Sequence, residues 1–283
     1  MSKHRAAWVA IVSAAALTLG LVGSAAASAA PRRQEPTGSA SAQAPTVGTR
    51  YANRTEETFD DVGWWRGWGM TSAPQRTAVL AEPDGNRLLQ VKFGAGTHDG
   101  TTFFYPTGTA DEVHVRYRMQ LSPGFDPSAS ASNVKMPGFG SPRRSKTGAC
   151  LAGCGGMPAD GITSYSARSD IHATGAPGWY VYWADMPKTV PSYGTGGRWR
   201  TPAFTPGRWY TVNLYLKMNT PGSADGTMRA VIDGVQVAAY SGLELRRVDT
   251  LHVGAAWFDF YYGGAGVAPR DMWVRLDDIV VEW

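Results

Sequence analysis

The chain of 283 residues carries 27 Lys and Arg against 23 Asp and Glu, a formal charge of +4 that becomes +2 once Lys3 and Arg5 of the N-terminal segment are set aside. So balanced a charge excludes generic nucleic-acid binding, which needs a basic face, and confines any attraction to an anionic ligand to local clusters. The 11 Trp and 12 Tyr exceed what a core requires; exposed at a cleft, such rings suit sugars, whose faces are apolar and rims polar.

Lys3 and Arg5 open a short basic start, Ala6 to Val22 is an apolar run without an acid, and small residues follow to Ala30. The A-x-A patterns at Ala25–Ala27 and Ala27–Ala29 predict a signal peptide over residues 1–29 and a secreted protein. The run is short for a bilayer helix, which needs roughly 20 apolar residues, and no stop-transfer pattern follows, so no membrane partner is expected. Residues 30–49 are rich in Ala, Ser, Pro, Gly, Gln and Thr and read as a disordered linker. Residues 50–283 remain for one domain.

Within it, strand alternation replaces helical periodicity. Thr55–Asp60, Arg87–Phe93 and Thr101–Tyr105 supply three early strands. In Val113–Leu121 the odd positions are apolar; the even ones are His114, Arg116, Arg118 and Gln120. Trp209–Met218 repeats the pattern, with Tyr215 and Lys217 on its polar side. Met228–Tyr240 holds Asp233-Gly234 between apolar runs, a strong hairpin signal. Leu251–Tyr262 and Met272–Glu282 close the series. Many strands with 34 Gly and 18 Pro between them, no βαβ rhythm and no internal repeat predict an all-β fold: a two-sheet antiparallel β-sandwich, specifically a jelly roll with a concave substrate cleft.

The two cysteines, Cys150 and Cys154, are expected to close a tight disulfide loop in an exported chain. Without nearby His they make a poor zinc site. Glu56, Glu57, Asp60 and Asp61, and later Asp277 and Asp278, do not alternate as a facing carboxylate pair, which argues against a glycoside hydrolase. They suit strand ends or the oxygen ligands of a structural calcium ion.

The middle of the chain is chemically richer. Asn133-Val-Lys-Met-Pro-Gly-Phe-Gly140 presents Lys135 in a rigid turn. An extended Ser164–His172 places Ser164, Ser166, Arg168 and Asp170 on one face, and Trp179–Trp183 sets Tyr180 and Tyr182 together. Lys, Arg, Ser and two phenols on adjoining strands suit β-elimination in a uronic-acid polymer. Cations neutralise the C5 carboxylate, a base removes the C5 proton and an acid protonates the leaving O4. A Tyr hydroxyl serves either proton role when neighbouring positive charge lowers its pKa. No cofactor is required by this chemistry.

Lys135-Met-Pro-Gly138, Ser166-Ala-Arg168 and Tyr180-Val-Tyr182, in that order, resemble polysaccharide lyase family 14, a family of alginate lyases and glucuronan-degrading enzymes on a β-jelly roll. Phe258–Pro269 and Leu276-Asp-Asp-Ile279 resemble its late strands. The resemblance implies Lys135, Ser166, Arg168, Tyr180 and Tyr182 as the active-site set, with Lys135 and Arg168 on the substrate carboxylate and Tyr180 or Tyr182 moving protons. Met136 stands where the family has Leu. The stretch 141–163, with Arg143, Arg144, Lys146 and the cysteine loop, is longer than the pattern and is expected to reshape the cleft. His98, His114, His172, Arg116, Arg118, Gln120, Tyr215 and Lys217 are further substrate-binding candidates. The expected partner is an acidic polysaccharide, bound by a monomer. The rival reading is a carbohydrate-binding module or lectin, which needs aromatics but not paired phenols beside cations.

Overall fold

Strict alternation of apolar and polar side chains builds strands that bury one face and leave the other free. The computed structural model describes residues 51–131 and 133–283; the expected leader and linker lie outside them. In chain order the strands are β1 (Arg54–Glu57), β2 (Thr77–Ala81), β3 (Arg87–Phe93), β4 (Asp99–Gly108), β5 (Glu112–Leu121), β6 (Val134–Gly140), β7 (Arg143–Arg144) and β8 (Cys150–Ala152). They continue with β9 (Ser166–Ile171), β10 (Pro177–Tyr182), β11 (Trp209–Lys217), β12 (Gly226–Ile232), β13 (Val235–Leu243), β14 (Gly254–Tyr262) and β15 (Met272–Glu282). Among the described residues the one helical element is a 3₁₀ turn at Trp64–Arg66.

Two antiparallel sheets form the sandwich. The larger runs β13-β12-β11-β5-β15-β3-β2, with β1 pairing the end of β15. The smaller runs β10-β9-β6-β14-β4, and β7 and β8 form a separate hairpin. This is the jelly-roll sandwich that the strand pattern predicts. Val113, Val115, Tyr117, Met119 and Leu121 of β5 are buried, as are Val212, Leu214 and Leu216 of β11. Facing them are Ala256, Phe258, Phe260 and Tyr262 of β14. Phe103 stacks on Phe258 at 5.1 Å, and Trp68 sets its edge against both. The Asp233-Gly234 hairpin forms where expected. Both residues take positive φ, 50° and 81°, as a two-residue turn between β12 and β13 demands.

Two expectations are corrected. Lys135 lies in a strand, not a turn. Pro137 would break a regular ladder, but β6 shifts register between Lys135 and Gly138, and that irregularity absorbs it. Second, His114, Arg116, Arg118, Gln120, Tyr215 and Lys217 point outward from β5 and β11 of the larger sheet, on the far side of the core from the other candidates. Alternation reveals which side chains leave the core, but not which sheet they leave it from. Local duties occupy several of them. His114 stacks on Tyr215 at 4.2 Å and holds Glu282 at 2.7 Å, Arg118 holds Asp277 at 3.2 Å, and Gln120 donates to Gly207 O at 2.8 Å.

Because Phe258 joins the two aromatic layers, Phe258→Ala should lower unfolding free energy by about 3–5 kcal/mol. Chemical denaturation would show it as a lower midpoint at unchanged slope; an unaltered midpoint would contradict this account of the core.

Candidate active site

The outer face of the smaller sheet gathers the chemistry. On β9, Ala167 and Ile171 enter the core while Ser166, Arg168 and Asp170 point outward. Pairing then brings other strands alongside: Tyr180 opposite Arg168 and Tyr182 opposite Ser166 on β10, Lys135 opposite Asp170 and Gly138 opposite Arg168 on β6. Gly138 permits the close approach, since a Cβ there would sit 2.2 Å from Ala167 O. β14 completes the face, with Tyr261 opposite Lys135 and Trp257 opposite Gly138. All five residues implied by the family resemblance therefore share one surface.

Their setting is dry. Lys135 and Arg168 are only 3% and 5% exposed, so each needs compensation. Lys135 Nζ stands 3.4 Å from the centroid of the Tyr180 ring and donates to Asn133 O. The Arg168 guanidinium lies 4.5 Å from the Trp257 centroid and 5.4 Å from that of Tyr180, and its Nη1 holds Asp259 Oδ2. Asp170 Oδ2 accepts from Asn133 Nδ2 at 2.7 Å.

Burial pushes Lys135 down to about 7; Arg168 adds to the fall, while Asp170 and Asp259 oppose it. Asp170 is raised by burial against the pull of Lys135 and Asn133. Tyr180 is raised, first by burial and then by Tyr182, although Arg168 works the other way. The expectation that neighbouring cations lower a phenol's pKa therefore fails at Tyr180, where desolvation outweighs them.

The stretch between β6 and β9 belongs to this site. Cys150 and Cys154 form the expected disulfide. Just beyond it, Gly156 N donates to Tyr182 Oη at 3.1 Å, and Ser166 Oγ donates to Gly153 O at 2.6 Å. Tyr182 Oη also lies 3.4 Å from Tyr180 Oη. Gly194 packs over both phenols, so close that a Cβ there would come within 2.8 Å of each ring. His172 and His98 sit at the margins. His172 Nε2 is 3.4 Å from Asp170 Oδ1; His98 stacks on Tyr261 and its Nδ1 lies 3.0 Å from Tyr262 O.

Trp257, Asp259, Gly156 and the pairing role of Asp170 escape the sequence reading. The alternation Trp257, Asp259, Tyr261 within β14 was the available signal for the first two; backbone donors leave none. Among the described residues no three His, Cys, Asp or Glu gather as metal ligands. Of the acids considered for calcium, Asp61 accepts from Gly63 N, and Asp277 holds Asn86 and Arg118.

Tyr182→Phe removes the acceptor of Gly156 N–H. A hydrogen bond of about 1 kcal/mol predicts roughly five- to tenfold faster amide exchange at Gly156. Exchange followed by NMR at that amide tests the contact, and an unchanged rate would count against it.

The family model described as polysaccharide lyase 14 matches residues 82–269. No curated protein matches the chain. Solved structures share its fold. The PL-14 alginate lyase from Aplysia kurodai superposes with a TM-score of 0.65 at 15% identity, covering 82% of this chain and 98% of that one. The endo-β-1,4-glucuronan lyase from the fungus Trichoderma reesei gives 0.54 at 14% identity over 82% and 95%. A variant of the alginate lyase Aly36B in complex with an alginate trisaccharide gives 0.56 at 20% over 73% and 84%. With two thirds of its length matched by the family model and its motif residues on one face, this chain is a polysaccharide lyase and belongs to polysaccharide lyase family 14.

Proposed function

We propose that the protein is a secreted lyase that cleaves a uronic-acid polymer, alginate or glucuronan foremost, by β-elimination. The observation that carries the reading is the Lys135–Arg168–Tyr180–Tyr182 set: two buried cations against one phenol, with a second phenol 3.4 Å away. A binding module has no use for such an arrangement, because burying cations is costly unless a transition state repays it. Family membership and the alginate trisaccharide bound by the related fold support an acidic substrate.

The residues divide the chemistry as follows. Arg168 and Lys135 bind the C5 carboxylate and spread the charge that develops when the C5 proton leaves. Tyr180, kept protonated by burial, gives its proton to the departing O4. Tyr182, entering the step as the phenolate that Gly156 N–H steadies, takes the C5 proton, which then passes to Tyr180 across the 3.4 Å between the two oxygens and restores both groups. Ser166 ties the face to Gly153. The products are a new reducing end and a 4,5-unsaturated uronate, formed without water or cofactor.

Absorbance of the conjugated product, followed on alginate, glucuronan, polygalacturonate and hyaluronan in turn, tests the reading. A rising signal identifies lyase and substrate together; binding without any signal would return the protein to the lectin class. Tyr182→Phe should lower kcat at least 100-fold while leaving substrate binding intact.

The pH dependence follows from Lys135. Its charge is present below about pH 7 and lost above it. kcat/KM should therefore fall as pH rises through about 7. Lys135→Arg, always protonated, should abolish that descending limb even if its rate is lower. A limb that persists unchanged in the variant would assign it to another group.

A further inference from the structure

Resting on the polyuronate reading, we propose that Arg144 forms a second carboxylate subsite beside Arg168, receiving the uronate next to the one that reacts. Arg144 lies on β7, four residues beyond the end of β6, in the stretch that joins β6 to β9. It turns back over the face just described. Its guanidinium carbon stands 5.5 Å from the centroid of the same Trp257 ring that Arg168 approaches at 4.5 Å. The two cationic groups are therefore held over one indole, close enough for Arg144 to feel both Arg168 and Asp259.

Their pairing differs. Arg168 is buried and holds Asp259. Arg144 is exposed, and among the described residues no carboxylate forms an ion pair with it; its Nη1 donates to Gly148 O at 2.8 Å within its own hairpin. A guanidinium with one edge committed to a carbonyl retains N–H groups for an incoming carboxylate, which it grips in bidentate fashion better than an ammonium would. Trp257 itself is fully buried beneath the two guanidinium groups, and the floor open to a ligand is its neighbour Phe104, stacked on it at 5.4 Å and only half-buried. An aromatic surface beneath a cation is what an acidic sugar needs: a ring face below and a charge at its rim.

The hairpin is also held in place. Arg144 pairs with Cys150, the disulfide joins Cys150 to Cys154, and Gly153 and Gly156 hydrogen-bond Ser166 and Tyr182. Arg144 is thereby linked through a short, stapled segment to the residues assigned to the chemistry, although it takes no proton itself.

The test compares wild type with Arg144→Gln and Arg144→Lys, measuring kcat and KM on the polymer that gives elimination, at two salt concentrations. Arg144→Gln should raise KM five- to twentyfold with kcat within twofold. The salt dependence of KM should flatten, because one screened charge contact is lost. Arg144→Lys should recover part of the affinity. Unchanged KM, or a loss of kcat with a lowered melting midpoint and an unaltered salt dependence, overturns the subsite and leaves the lyase reading standing. No elimination by the wild type on any polyuronate overturns that reading, and the subsite with it.

Discussion

Two cations taken out of water on one sheet face are the constraint around which the rest of the molecule is arranged. Lys135 and Arg168 would each be costly alone. The neighbouring strands supply what makes them tolerable: Asp259 from β14 to Arg168, Asp170 from β9 itself near Lys135, the face of Tyr180 against both and that of Trp257 against Arg168. Since the partners come from β6, β9, β10 and β14, the site exists only when four strands are in register. One residue of slip on β9 would send Arg168 into the core and Ala167 to the surface. Gly138, which lets β6 lie against Ala167, belongs to the same requirement.

That arrangement contributes little to stability. Replacing buried ion pairs by apolar residues is often neutral or favourable, and the fold has a large aromatic core elsewhere, around Phe103, Phe258 and Trp68. The site is better understood as charge that the core can afford to carry. The lowered pKa of Lys135 has the same origin as the raised pKa values of Asp170 and Tyr180, namely lack of water. In the proposed mechanism, dryness strengthens the interaction of the cations with a substrate carboxylate. It also keeps Tyr180 a phenol, as its proposed role as acid requires.

Local pattern carried most of the fold into view. Val113–Leu121 and Trp209–Met218 alternate cleanly because one face of each is buried, and Asp233-Gly234 marks its hairpin because few other dipeptides accept two positive φ angles. Lys135, Arg168, Tyr180 and Tyr182 were legible through their order and spacing. What stayed hidden is relational. Arg116 and Arg118 alternate as Arg168 does, yet belong to the opposite sheet, and only strand order separates them. The Pro137 irregularity disguised a strand as a turn. Gly156 acts through its backbone N–H, which any residue but proline would also possess.

The hairpin that roofs the face lies in neither large sheet, and both its ends return to strands whose pairing does not depend on its length. Lengthening such a connection is cheap, since each doubling costs only about 0.6 kcal/mol in closure entropy. The sheet face and the roof above it are accordingly separable units of inheritance. Mutation can add, shorten or recharge the roof while the strands beneath keep their register. A lineage built this way could change the polymer it prefers without having to rediscover how to break the bond.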